Sequence, residues 1–168
     1  VDGVHFCLAW IGRDNVSNAA LALGMVRALG VNLEDCVKPL ASVAPVPGRL
    51  EPIEEDQLFA VYVDYAHTDD ALRQVLSTLR EITPGQLRVV FGCGGNRDVG
   101  KRQKMGAVAA TLADKVMITT DNPRREDPAA IADQIAEGCA CVDGADWQIE
   151  LDRERAFDEA LRAAAPGD

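Results

Sequence analysis

The sequence has 168 residues with 17 Lys and Arg against 27 Asp and Glu, a formal net charge of −10; 48% of its residues are hydrophobic and 26% charged. This composition describes a folded globular chain, long enough for one ordinary domain with a sizeable core or for one domain and a piece of another. The acidity works against nucleic acid or an anionic membrane as partner, because phosphate repels the chain on approach, and no apolar run nears the ~18 residues that span a bilayer.

Asn15–Leu29, rich in Ala and Leu, reads as a helix and Asn32–Ser42 as a second; Val43–Gly48 follows as a stiff connection marked by Pro45 and Pro47. Two helices without a sheet make half a domain at best. A boundary is therefore placed near Pro47–Leu50, with residues 1–49 the helical tail of a preceding domain and residues 50–168 a domain of their own. There, short β-rich runs alternate with helical patterns. Phe59–Asp64 reads as a buried strand, and Thr68–Ile82 as a helix capped by Thr68, with Leu72, Val75, Leu76 and Leu79 in one stripe and Pro84-Gly85 as its stop. Leu87–Phe91 is the next strand, and a glycine-rich turn leads to a helix near Lys101–Leu112. Lys115–Thr119 is a third strand, Asp127-Pro128 opens a helix with an N-cap and an N1 proline, Trp147–Leu151 is a fourth strand and Asp152–Ala164 a final helix. The alternation predicts an α/β fold: a doubly wound, Rossmann-like, mostly parallel sheet with helices on both faces. Pro166-Gly167-Asp168 is turn chemistry that in this rhythm leads to a further strand, so the natural sequence is expected to continue.

Five cysteines, Cys7, Cys36, Cys93, Cys139 and Cys141, are odd in number and irregular in spacing. They argue for a reducing compartment rather than a disulfide scaffold, and Val1–His5 has neither the basic region nor the apolar core of a signal peptide, so the expected location is the cytoplasm. The only histidines are His5 and His67, and no second pair completes Cys139-x-Cys141, so no metal site is expected.

Gly92-Cys-Gly-Gly-Asn-Arg97 directly follows a strand and precedes a helix, where close backbone approach and a helix N-terminus favour an anion. Gly95–Lys101 matches G-x4-G-K, but Arg102 stands where a phosphate loop needs Ser or Thr for magnesium. A plain glycine-rich turn and a specific anion site both remain open. From Arg88 to Lys104, five basic residues meet one acid, Asp98, a local balance of +4 in an acidic chain and a place to hold carboxylate or phosphate. Asp121-Asn-Pro-Arg-Arg125 follows the next strand. Ligands of doubly wound sheets sit at the carboxyl ends of strands, so the two loops can share one crevice. Asp121 and Asn122 suit an ammonium group and Arg124 a carboxylate, which together suit a zwitterionic amino acid; an Asn-Pro turn with surface charges is the plainer alternative. Asp64 and His67 close a strand as an acid/base pair or a helix cap, and Asn15 and Asn18 sit at a helix start as caps or as weak purine or ribose contacts.

In this order, Gly12-Arg-Asp-Asn15-Val-Ser-Asn18-Ala-Ala, Pro47-Gly-Arg49-Leu-Glu51, Val63-Asp-Tyr-Ala-His67-Thr, Val90–Asp98, Gly100-Lys-Arg102 and Asp121-Asn-Pro-Arg124 resemble the Mur ligases nearly end to end, and within them the tripeptide synthetases. The resemblance implies an ATP-dependent ligase of bacterial peptidoglycan synthesis. It activates the D-Glu side-chain carboxylate of UDP-MurNAc-L-Ala-D-Glu as an acyl phosphate, and the amine of a third amino acid then attacks to give the amide, with ADP and phosphate as the other products. By family position Asn15, Asn18, Arg49, Asp64 and His67 belong to the ATP side, whereas Arg97, Asp121, Asn122 and Arg124 hold the incoming amino acid. Asp-Asn-Pro-Arg is the family's pattern for meso-diaminopimelate, whose distal carboxylate, absent from L-lysine, needs a cation.

ATP and Mg2+ serve the intact enzyme, and the implied partners are small molecules: the UDP-MurNAc-dipeptide, meso-diaminopimelate and ATP. By the resemblance, the family's phosphate loop, modified lysine and magnesium ligands are expected upstream of Val1, and a Gly-Lys-Gly-His-Glu segment past Asp168. The chain alone is therefore expected to contain no catalytic residue, to bind neither cofactor and to turn over no ATP. Asp14 and Asp69 depart from the family, which has an aromatic residue and a proline there. Two other readings compete: a non-catalytic amino-acid or nucleotide-binding module, and a related ligase of the L-lysine-adding, folylpolyglutamate or cyanophycin type.

Overall fold

Four helices begin on side chains that satisfy their first free amides, and these caps punctuate the chain. Asn32 Oδ1 accepts from Glu34 N–H, Thr68 Oγ1 from Ala71 N–H, Asp127 Oδ1 from Ala129 N–H, and Asp152 Oδ1 from the N–H groups of Glu154 and Arg155. The computed structural model describes residue 3 and residues 5–168. It divides into two compact units: residues 1–53 with 62–65, and residues 54–61 with 66–168.

In the first unit, α1 (Arg13–Ala28) packs against α2 (Leu33–Ala41) through Ala19, Leu23 and Leu33, which are buried. The first helix starts after Gly12, whose φ of 97° lies where glycine carries no Cβ penalty. It therefore begins two residues earlier than the sequence suggested, so Asn15 and Asn18 lie inside it rather than capping it. The unit also holds a minimal antiparallel pair, β1 (Glu51–Pro52) with β2 (Tyr62–Val63), in the register Glu51↔Val63 and Pro52↔Tyr62. This corrects the expectation of a buried strand over Phe59–Asp64. Only Tyr62–Val63 forms a ladder, Val63 is 45% exposed, and Pro52 on the partner strand has no N–H with which to extend the pairing.

The second unit carries the parallel sheet, in the order β3 (Arg88–Phe91), β4 (Lys115–Ile118), β5 (Trp147–Ile149). The register runs from Arg88↔Lys115 to Phe91↔Ile118 and from Val116↔Trp147 to Ile118↔Ile149. The crossover helices α4 (Gly100–Leu112) and α5 (Pro128–Ala140) lie on one face, as two right-handed connections in the same direction require, with α3 (Asp69–Ile82) packed on α4. The last helix, α6 (Arg153–Arg162), packs on β3 and β4 and covers a cavity of about 220 Å³ lined by both and by β5. The core is Leu72, Leu76, Met105, Val108, Ala109, Val116, Ile118, Ile131, Ile135 and Cys139, all nearly inaccessible. Among the described residues, no helix is long and apolar enough to cross a membrane.

The crossing of α4 with α5 is made possible by glycine on both helices. A Cβ on Gly106 would stand 2.0 Å from Ile135 O, and one on Gly138 would stand 1.9 Å from Gln103 O. At the other end of the layer, Asp114 Oδ2 accepts from Leu87 N–H at 2.7 Å and from Arg80 Nη1 at 2.6 Å, tying the exit of α4 to the entry of β3. The Leu87 amide first, and the Arg80 guanidinium after it, hold the Asp114 carboxyl below the usual carboxylate range.

Two expected outcomes follow from these contacts. Gly106→Ala or Gly138→Ala forces the helices apart and lowers unfolding free energy by about 1–3 kcal/mol, read from urea denaturation; an unchanged midpoint contradicts the crossing described. Because Asp114 binds its proton more weakly folded than unfolded, its stabilisation is complete above the ordinary carboxylate value of about 4 and is lost as pH falls through the lowered folded value. Thermal melts in that acid window should show a shallower pH slope for Asp114→Asn than for the parent chain.

Candidate functional site

Phe91 and Ile118 are register partners, so β3 and β4 end level and release their following loops side by side. The β3 loop, residues 92–99, and the β4 loop, residues 119–127, are hydrogen-bonded to each other. Gly95 N–H donates to Asn122 O at 2.8 Å, Arg124 Nη1 to Gly95 O at 2.7 Å, and Arg125 N–H to Asn96 Oδ1 at 3.1 Å. Asn96 N–H donates to the Glu126 carboxylate. The approach leaves no room for a side chain, since a Cβ on Gly95 would stand 1.9 Å from Pro123 O. The glycine-rich turn thus serves loop-to-loop packing first.

Around this seam stand the side chains that the sequence assigned to the amino acid. A Cβ placed on Gly94 would lie 4.0 Å from both Arg97 Cγ and Asp121 Oδ2 and 3.7 Å from Asn122 O, so these three residues border one glycine. Arg97, Asp121, Asn122 and Arg124 are all exposed at the carboxyl ends of the strands. The side chains of Arg97, Asp121 and Asn122 make no hydrogen bond or ion pair among the described residues, and Arg124 spends one Nη on Gly95 O. The arrangement offers two guanidinium groups, a carboxylate and an amide to a ligand with anionic and cationic groups.

The residues assigned to the ATP side have separate settings. Asn15 and Asn18 share one turn of α1, where Asn15 Nδ2 donates to Ile11 O at 2.7 Å. Arg49 stacks its guanidinium over Tyr65, 5.2 Å from the ring centroid, and Asp64 Oδ2 accepts from Leu50 N–H at 2.8 Å, so this corner of the first unit gathers Arg49 and Asp64. His67 belongs to the second unit, where it precedes the Thr68 cap and its carbonyl accepts from Lys101 Nζ at 2.6 Å. No cluster of three His, Cys, Asp or Glu side chains suited to a cation occurs among the described residues.

The basic stretch from Arg88 to Lys104 is not one patch, which corrects the sequence reading. Arg88 Nε pairs with Asp168 Oδ2 at 3.0 Å at the entry of β3, the opposite end of the strand from the loops. Arg102 is wholly buried against Glu126, and Lys101 turns to His67 O, whereas Arg97 stands beside the seam. The sequence reading treated Arg102 as the residue that spoils a phosphate-loop match, as one of five basic residues and as part of the Gly100-Lys-Arg102 motif, but gave it no partner, and it singled out neither Asn96 nor Glu126. A buried arginine next to a glycine turn calls for an acid within reach, and the Glu following Arg124-Arg125 was the available signal.

Residues 48–168 match the family of the Mur ligase, glutamate ligase domain. A ligase named UDP-N-acetylmuramoyl-L-alanyl-D-glutamate–2,6-diaminopimelate ligase, from Thermosynechococcus vestitus, is 45% identical over 160 residues, covering 94% of this chain and 32% of that protein. A solved structure of an enzyme of the same name superposes with a TM-score of 0.69 at 38% identity, over 97% of this chain and 33% of that one. A folylpolyglutamate synthase of Mycobacterium tuberculosis, 24% identical, shares the fold with a TM-score of 0.72 over 92% of this chain and 34% of its own. The chain thus spans about a third of the length of the proteins it matches. With most of its residues inside the matched domain, and with the loops that suggested the resemblance placed together at the end of a parallel sheet, the chain belongs to the Mur ligase family.

Proposed function

We propose that this chain is the amino-acid-binding portion of an ADP-forming ligase that adds meso-diaminopimelate to UDP-MurNAc-L-Ala-D-Glu in bacterial peptidoglycan synthesis. The observation that carries the reading is the gathering of Arg97, Asp121, Asn122 and Arg124, with little commitment to other protein groups, along the seam between the β3 and β4 loops. Diaminopimelate carries two carboxylates and two amines. Arg97 and Arg124 are suited to the carboxylates, and Asp121 and Asn122 to the ammonium of the end that does not react. The name of the relative at 45% identity supports the choice of amino acid.

Residues 48–168 then act as the C-terminal domain, and the helical segment before it as the tail of a central ATPase domain. In that enzyme, phosphorylation supplies the leaving group on the D-Glu carboxylate. The task of this chain is to hold the free amine in line with the acyl phosphate, a contribution of orientation rather than of proton transfer. Asn15, Asn18, Arg49, Asp64 and His67 are proposed to border the nucleotide. Mg2+ accompanies ATP in the family's chemistry, and among the described residues no cluster of three His, Cys, Asp or Glu side chains marks a place for it. The enzyme works in the bacterial cytoplasm, where its nucleotide-linked substrates are made.

In the intact ligase that carries this chain, Arg124→Ala should raise the KM for meso-diaminopimelate by roughly tenfold or more, on the order of 1.4 kcal/mol of binding. Steady-state ADP release at varied diaminopimelate tests it, and an unchanged KM rejects the role of Arg124. Calorimetric titration of the 168-residue chain itself should show weak binding of meso-diaminopimelate and weaker binding of L-lysine. The same chain incubated with ATP should release no phosphate. Equal affinity for both amino acids, or turnover of ATP, contradicts the assignment.

A further inference from the structure

One of the side chains fully buried at this end of the sheet is a charged one. Arg102, in the first turn of α4, has 0% of its surface exposed. Its Nη1 donates to Glu126 Oε2 at 2.8 Å and to Gln134 Oε1 of α5 at 2.7 Å; its Nη2 donates to Glu126 Oε1 at 3.1 Å and to Gly94 O at 3.3 Å. Glu126 Oε1 also accepts from Asn96 N–H. One guanidinium–carboxylate pair therefore joins two helices and both binding loops. Arg102 first, and the Asn96 amide after it, hold the Glu126 carboxyl below its ordinary range, so the pair is ionised at neutral pH.

Two residues of these loops, Asn96 at φ 52° and Arg124 at φ 53°, have left-handed backbone although neither is glycine. Side-chain-bearing residues stay in that region only where their surroundings impose it. Asn96 immediately precedes Arg97, so its backbone sets where the Arg97 side chain leaves the loop. The Asn96 amide is held by Glu126, and the Arg124 guanidinium by Gly95 O. Arg102 is buried while the Glu126 side chain is 31% exposed, a half-buried pair that is a weak stabiliser compared with apolar packing of the same volume, and Arg102 Nε has no hydrogen-bond partner among the described residues. What the pair supplies is position.

We propose that the Arg102–Glu126 pair positions the amino-acid site, fixing the separation and direction of Arg97 and Arg124 without touching the ligand. The proposal rests on the amino-acid reading of that site. It predicts that loosening the pair weakens binding of one substrate only. In the intact ligase, Glu126→Gln keeps the size and one acceptor but removes the charge. Its KM for meso-diaminopimelate should rise roughly tenfold, with the KM values for ATP and for the UDP-MurNAc-dipeptide unchanged and kcat largely retained. Glu126→Asp restores the charge with a shorter reach and should recover part of the loss. Glu137→Gln should leave all three KM values alone, because the Gln103–Glu137 bond ties the same two helices outside the loops.

A role in stability alone would reduce the active fraction, and with it kcat, while leaving KM in place. If Glu126→Gln does not accumulate as folded enzyme, Arg102→Lys, which keeps the charge and loses the paired contact, carries the same expectation. An unchanged diaminopimelate KM in whichever variant folds, or a parallel rise in all three KM values, overturns the proposal. If the parent enzyme shows no diaminopimelate-dependent ADP release, the site reading itself fails, and the positioning role fails with it.

Discussion

The candidate site depends on a charge taken out of water. An arginine with no exposed surface is costly unless nearly every donor finds a partner, and Arg102 finds its partners on three different segments: Gly94 on the β3 loop, Glu126 on the β4 loop and Gln134 on α5. No single segment of this chain can satisfy that guanidinium. Burying it therefore requires the two loops and the two helices to come together in one arrangement, and the geometry of the loop tips is a consequence.

That arrangement is prepared by the layer beneath. The parallel register ends β3 and β4 level, which gives the loops a common origin. The glycines on α4 and α5 let their backbones approach where a Cβ of Gly138 would meet Gln103 O, one residue from Arg102. Gln134 lies one helical turn before Gly138 on the same helix, so the close crossing brings its amide within 2.7 Å of the Arg102 guanidinium. Sheet register, helix crossing and loop seam are thus linked steps.

How far the sequence could be read follows from how local each determinant is. The caps at Asn32, Thr68, Asp127 and Asp152 act within three residues of themselves, and every helix they begin was legible. The apolar runs at 87–91 and 115–119 were legible for the same reason, as was the meeting of their loops, which follows from parallel strands. Phe59–Asp64 was misread because its composition suits a buried strand, whereas its partner is the proline-bearing Glu51–Pro52, a choice that tertiary pairing makes. Asn15 and Asn18 suggest a helix start because polar side chains are the usual caps, while the helix begins at a glycine of positive φ.

The basic stretch shows the same limit in electrostatic terms. Counting charges along the chain assigns +4 to Arg88–Lys104, but charges are neutralised in space, and the partners come from far off in sequence: Glu126 for Arg102, Asp168 for Arg88. Subtracting those pairs changes what the stretch means. The committed cations shape the loops and the sheet entry, and the uncommitted ones are available to a ligand. At the seam, among the described residues, the side chains of Arg97, Asp121 and Asn122 make no hydrogen bond or ion pair, and Arg124 is half engaged. A ligand that places carboxylates and an ammonium against Arg97, Asp121 and Asn122 would replace water around side chains that have no hydrogen-bond partner among the described residues, so contacts to those three need not break an existing one. In the proposed site, the division between charges that build the loops and charges that face the ligand would govern recognition, and neither the net charge of −10 nor the local +4 expresses it.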